Sequence, residues 1–172
     1  MAGAPRHRPL TEGELALLGL HFPKGALPLD RVRFCDGPGR HPAAAHAFRR
    51  GNTAITLGRT IYYGPGRHSA DFSVEKDAAR QGLFMHEMTH VWQWHRLGVL
   101  RFLLRYARDF IACRGDARAM YRYQAGVDRF ADAMLEAQAQ MVGDYAAALV
   151  RGDAQAQARI GRSLAGSGFY GL

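Results

Sequence analysis

Apolar and polar positions along the chain predict a mainly helical fold with one short β region. Residues 81–93 lie in an apolar stretch and predict a buried helix that begins near residues 73–77 and ends at Gly98. Residues 99–111 predict a second helix, with its arginines outward and an inward face of Leu100, Leu103, Leu104, Ala107 and Ile111. A third long helix is expected from Asp128 to about Arg151, with Gly152 past its end.

Short strands and helices are predicted before the buried helix. Residues 53–57 and 60–63 are rich in β-branched and aromatic residues and flank Gly58, which predicts a β-hairpin. Residues 31–35 alternate like a further strand. Thr11 and Glu14 have the spacing of a capping box, and short helices are expected after Thr11, over residues 42–50 and over residues 153–164. This mixture predicts an α+β protein.

The length of 172 residues suggests one domain. We expect a flexible arm over residues 1–9, a single domain over 10–165 and a flexible or docked C-terminal tail over 166–172. No apolar run approaches the roughly 18 residues of a transmembrane segment. The first ten residues do not resemble a signal peptide. We therefore expect a cytoplasmic protein, or one exported by a route without such a signal.

The charge and the cysteines limit the chemistry of the protein. The net charge of +8 favours anionic partners, but the arginines are spread along the chain and match no nucleic-acid motif, which argues against nucleic acid. Cys35 and Cys113 lie far apart and have no metal-ligand spacing. Any metal site is therefore expected to use histidine and carboxylate ligands.

His86, Glu87 and His90 form a His-Glu-x-x-His motif inside the buried helix. Positions i and i+4 of a helix lie on one face, so both histidines can bind one ion. Glu87 would then lie beside a water on that ion and act as its general base. The motif predicts a zinc site with the chemistry of a metallopeptidase.

A zinc ion needs a third protein ligand, and the third long helix offers the best candidate. Glu136 lies among alanines and apolar residues, where a carboxylate is costly unless it is paired or bound to a metal. Asp132 is the reserve ligand, and Gln140 is placed to hydrogen-bond a ligand histidine. Tyr121 and Tyr123 are candidate donors to an oxyanion, although packing roles would also explain them.

The order of these motifs resembles the extracellular contractile injection system core domain, a family of small gluzincin-like metallopeptidases. The resemblance rests on residues 32–34, 44–45, 52–66 and 83–93 and extends over about residues 9–150. Phe84, Met85 and Trp92, together with residues 136–142, make the chain especially similar to short bacterial Vgr-related proteins.

The resemblance implies a minimal zincin, in which a small hairpin or sheet packs on the motif helix. It assigns His86, His90 and Glu136 to zinc and Glu87 to general-base catalysis. An extended peptide would pair with Ala54, Ile55, Thr56 and Leu57, or with residues 60–63. Gluzincins often carry an acid where this chain has Gln140, so the chain departs from the family there.

Three functions remain open at this stage. The leading hypothesis is a zinc peptidase that hydrolyses peptide or protein substrates. The alternative is a weakly active or inactive zincin-fold module that binds or assembles within a contractile-injection, type VI-like secretion system. A third is a delivered toxin that acts on envelope or host targets, which a basic surface would suit.

Overall fold

The computed structural model describes residues 7–172 and confirms the predicted α+β class, with helices in the majority. The helices are α1 (Glu12–His21), α2 (Pro42–Arg49), α3 (Ala78–Ala112), α4 (Leu135–Arg151) and α5 (Ala154–Leu164). The strands are β1 (His7–Arg8), β2 (Arg33–Asp36), β3 (Ala54–Leu57) and β4 (Thr60–Tyr63). Thr11 and Glu14 form the predicted capping box of α1. None of the described helices has the length and apolarity needed to cross a bilayer.

The strands form one sheet in the order β1-β2-β4-β3. β3 and β4 are antiparallel, with Ala54 opposite Tyr63 and Leu57 opposite Thr60, so the predicted hairpin is confirmed. β4 is also parallel to β2 and therefore has no free edge, which excludes residues 60–63 as a strand that pairs with substrate. Of the two strands predicted to pair with a substrate peptide, β3 is the one that has a free edge in the described sheet.

The N-terminal end differs from the predicted flexible arm, whereas the C-terminal tail is docked, which is one of its two expected arrangements. Residues 1–6 lie outside the described part of the chain, whereas His7 and Arg8 form an edge strand of the sheet. The Arg8 guanidinium lies 2.7 Å from the buried Glu14 carboxylate, which ties this strand to α1. At the other end, Phe169 is fully buried among core rings. The predicted tail therefore contributes to the core.

α3 consists of two helical halves that meet at Gly98. Asp77 caps its start by accepting hydrogen bonds from the backbone of Ala79 and Arg80. Gly98 has φ 72° and ψ 167°, a conformation that is nearly restricted to glycine, and it kinks the helix where the sequence predicted an end. The first half is buried in the core, between the sheet and α4.

The second half of α3 faces the opposite way from the prediction. Its leucines at 100, 103 and 104 are exposed, and the inward side carries Phe102 and Asp109. The assumption that the most apolar face must be buried was therefore wrong here. Asp109 accepts a hydrogen bond from the backbone of Leu135 at 3.1 Å, so a polar contact directs the packing of this half.

α4 begins at Leu135, later than the predicted start at Asp128. The Asp128 carboxylate accepts a hydrogen bond from the backbone of Gln124 at 2.6 Å and closes a turn. Aspartate side chains compete with helical hydrogen bonds in this way. Glu136 consequently lies in the first turn of α4 instead of the middle of a longer helix.

Candidate metal centre

The candidate metal centre depends on the close crossing of α3 and α4. Gly82 and Gly143 face each other there, and a Cβ on Gly143 would lie 2.6 Å from the Gly82 carbonyl oxygen. No residue with a Cβ allows this approach without a shift of the helices. His86 follows Gly82 by one turn and Glu136 precedes Gly143 by two turns, so both side chains lie on the crossing faces. The crossing therefore brings the predicted ligands together.

Three buried side chains direct donor atoms towards one another. Nε2 of His86 and Nε2 of His90 are 3.1 Å apart. Oε2 of Glu136 lies 3.4 Å from Nε2 of His86 and 3.0 Å from Nε2 of His90. Ligands held at about 2.0–2.1 Å by a tetrahedral zinc ion are separated by roughly 3.3 Å. The donor set therefore fits zinc in chemistry and in spacing.

The electrostatics of this triad also favour a positive charge at its centre. Burial by itself lowers the pKa of His90, but the Glu136 carboxylate raises it to about 9. Burial by itself raises the pKa of Glu136, yet the charge of His90 and a hydrogen bond from His86 hold that pKa well below its usual range. A divalent cation would supply the same positive charge in place of the histidine proton.

Gln93 fixes the orientation of the His90 ring. Its Nε2 donates to the Leu135 carbonyl at 2.9 Å and to Oε1 of Gln138 at 3.1 Å. Its Oε1 lies 2.8 Å from Nδ1 of His90 and accepts a hydrogen bond from that nitrogen. Nε2 of His90 is thereby directed to Glu136, as a metal ligand requires.

Glu87 lies beside the triad and is held by the sheet. Its Oε2 accepts a hydrogen bond of 2.7 Å from the Thr56 hydroxyl. Thr56 belongs to β3, the edge strand predicted to pair with substrate. The candidate base and the candidate substrate strand therefore lie side by side.

Two cavities of about 470 and 250 Å³ meet at the centre. Both are lined by Asn52, Ala54, His86, Glu87 and Tyr121. The larger one continues along polar residues of α4, namely Gln140, Asp144 and Arg151. The smaller one is mainly apolar and is lined further by Ile55, Thr56, Leu57, His90, Trp94, Phe102, Leu103, Tyr106 and Glu136. The cleft therefore has a polar and an apolar side.

Two tyrosines lie at this cleft. The Tyr121 ring stacks on His86 with centroids 5.7 Å apart, and burial together with the Glu136 charge raises the pKa of Tyr121 well above its usual value. Tyr106, which the sequence analysis did not select, has its pKa raised to about 12 by burial and by Glu136. Both hydroxyls therefore stay protonated at neutral pH and can donate hydrogen bonds.

Three of the predicted site residues make other contacts. Gln140 donates to Oδ1 of Asp144 at 2.7 Å, so it does not support a ligand histidine. The Tyr123 hydroxyl donates to Oδ2 of the same carboxylate at 2.9 Å. Asp132 precedes α4, is largely exposed and lies 4.0 Å from Arg129, so it is not a reserve ligand.

Sequence reasoning also missed Gln93, Thr56 as a partner of Glu87, and Tyr106. Gln93 follows His90 by three residues on one helix, a spacing at which helical side chains meet, so the sequence held a signal for it. Thr56 and Tyr106 come from other segments and carry no such signal.

Comparison with known proteins identifies a relative in sequence and a relative in structure. The chain is 45% identical over 89 residues to the type VI secretion system spike protein VgrG2b of Pseudomonas aeruginosa, a match that covers 49% of this chain and 8% of that protein. The effector domain of Pseudomonas aeruginosa VgrG2b superposes with a TM-score of 0.63 at 32% identity, over 96% of this chain and 88% of that chain. No protein-family model matches the chain.

The structural match covers most of the solved effector domain at 32% identity, which establishes a family relationship. The chain belongs to the family of the VgrG2b effector domain. The Vgr-related part of the predicted resemblance is thus confirmed. The alternative hypothesis associates the protein with a secretion system. Membership of this family supports that association more directly than it supports hydrolysis of peptides.

Proposed function

We propose that the chain is a gluzincin-like, zinc-dependent peptidase and serves as an effector portion of a contractile-injection secretion system. The observation that carries the proposal is the buried triad of His86, His90 and Glu136 with Glu87 beside it in an open cleft. When bound by this triad, zinc would polarise a substrate carbonyl and make a water more acidic. Side chains and backbone of the protein itself would supply the general base, the oxyanion donors and the peptide-binding strand.

Glu87 would act as the general base. Thr56 holds one of its carboxylate oxygens, and Oε1 has no hydrogen-bond partner among the described residues, so Oε1 is able to accept a proton. Passing that proton to the leaving amine would complete hydrolysis of the peptide bond.

Tyr121 and Tyr106 would donate hydrogen bonds to the oxyanion. Their raised pKa values keep the hydroxyl protons in place at neutral pH, as a hydrogen-bond donor requires. β3 would bind an extended peptide by backbone pairing at its free edge. The peptide would then lie next to Glu87, because Thr56 of the same strand touches that carboxylate.

The secretion-system role rests on family membership. The related protein is the spike of a type VI secretion system, and the sequence match spans only 8% of its length. The solved structure that the chain resembles is the effector domain of that protein. We propose that this chain too is carried to its target by such a spike.

A second candidate is a zincin-fold module that binds or assembles within the secretion system without cleaving peptides. Two observations favour it. The relationship is to a spike protein, and Gln140 contacts Asp144 instead of supporting a ligand histidine. Zinc in this module would stabilise the crossing of α3 and α4.

Metal analysis combined with a peptide-library assay tests these functions. We expect one zinc per chain, lost in Glu136→Ala, and cleavage of at least one peptide class. Glu87→Gln should keep the zinc and lower turnover about 10²–10⁴-fold, because only the base is removed.

Glu12→Gln is the matched control, because it makes the same substitution on the exposed surface of α1. Full turnover in Glu87→Gln would contradict the catalytic proposal. Stoichiometric zinc with no cleavage by the unaltered protein would favour the binding module.

A further inference from the structure

The second half of α3 carries an apolar stripe that faces solvent. Leu100 is 70% exposed, Leu104 62% and Ile111 73%. At about 100° per residue, the stripe occupies one continuous arc of the helix. Its members are Val99, Leu100, Leu103, Leu104, Ala107, Phe110 and Ile111. Contiguous exposed apolar surfaces of this kind mark interaction sites.

The exposed charges on the second half of α3 have one sign. Arg101 and Arg108 are exposed and follow one side of it along the helix. The acidic residues of α3 are Glu87 and Asp109, and both are buried. The exposed surface of this half therefore combines apolar side chains with cations and presents no carboxylate of its own helix.

We propose that the stripe docks on the surface of a lipid bilayer with anionic headgroups. The helix would lie in the plane of the interface, with its leucines among the acyl chains and its arginines at the phosphates. Residues 99–112 form a helix of roughly 21 Å, which is too short to span a bilayer and suits an interfacial position.

Charge also argues against pairing of two copies through this surface. An antiparallel two-fold contact between stripes would bring two rows of arginines together, with no carboxylate of α3 to offset them. An anionic bilayer would contact the apolar face through its acyl chains and the arginine row through its phosphates at the same time. The net charge of +8 supports the same approach to a negative surface.

Docking would also orient the cleft. Leu103 belongs to the stripe and lines the smaller, apolar cavity together with Phe102 and Tyr106. The membrane-facing side of the molecule therefore borders the candidate metal centre. Membrane docking does not depend on peptidase activity, so each can fail without the other.

Vesicle co-sedimentation tests the proposal, with phosphatidylcholine vesicles prepared with and without phosphatidylglycerol. We expect the unaltered chain to bind the phosphatidylglycerol vesicles and to bind less as salt increases. Leu100→Gln should weaken partitioning about tenfold, because a leucine no longer enters the bilayer. Arg101→Gln should weaken it about fivefold on the anionic vesicles only.

Matched controls use equally exposed residues elsewhere. Leu20 is 74% exposed on α1, so Leu20→Gln should leave binding unchanged, as should Arg49→Gln on α2. No binding to anionic vesicles, or equal loss in Leu100→Gln and Leu20→Gln, would overturn the proposal. A dimer in sedimentation velocity that Leu100→Gln dissociates would overturn it too and would assign the stripe to a second copy of the chain.

Discussion

The two halves of α3 share one helix assignment but have opposite relations to solvent. The first half is enclosed by the sheet and α4 and carries His86, Glu87 and His90. The second half contacts the rest of the molecule through a narrow side with Phe102 and Asp109, and its apolar face is exposed. The enclosed half thus holds the candidate metal ligands, and the exposed half presents the apolar surface that we propose for docking.

The comparison shows that apolar periodicity predicts a helix more reliably than it predicts which side of the helix is buried. Both halves have the periodicity of an amphipathic helix. The kink at Gly98 changes the direction of the chain, and Asp109 then attaches the second half to the start of α4. The leucines consequently point away from the core.

The largest expected difference is in the free energy of unfolding, when one apolar side chain in each half of α3 is replaced by alanine. Met88 is fully buried and Leu104 is 62% exposed. Met88→Ala should lower the free energy of unfolding by about 2–5 kcal/mol, because it leaves a cavity. Leu104→Ala should change it by less than about 0.5 kcal/mol. Urea titrations measure both, and equal losses would show that the second half is buried in solution.

A smaller effect is expected at the junction of the halves. Gly98→Ala should cost about 1–3 kcal/mol, since alanine rarely adopts φ 72° with ψ 167°. Gly19→Ala in α1 is the control, because a Cβ there meets open space and the residue has helical geometry. That substitution should stabilise the protein by up to about 1 kcal/mol. A neutral Gly98→Ala would mean that the kink is not maintained in solution.

The smallest effect concerns the contact that attaches the second half to α4. Asp109→Ala should cost about 1–2 kcal/mol, since the Leu135 amide loses its acceptor at the first turn of α4. Hydrogen exchange of that amide should also become faster. Asp109→Asn keeps an acceptor oxygen and should have a weaker effect on both. An unchanged exchange rate in Asp109→Ala would contradict this anchoring role.

Secondary-structure elements were predicted correctly where one short stretch of sequence contains all the residues that define the element. The capping box of Thr11 and Glu14, the hairpin of β3 and β4 and the break at Gly98 are examples. The start of α4 was misplaced because Asp128 closes a turn with Gln124. Gln140 and Tyr123 were misassigned for a related reason, since both meet Asp144. Spacing along a helix does not reveal such competing partners.

The sequence by itself determined that His86 and His90 share a helix face, because a four-residue interval on a helix leaves no other arrangement. It also indicated Glu136, since a carboxylate among apolar residues needs a partner. The tertiary structure decided that the three meet, because Gly82 and Gly143 let α3 and α4 cross at backbone contact. It also decided that the second half of α3 exposes its leucines. Helix periodicity is local, whereas the buried side of a helix depends on which distant residues pack against it.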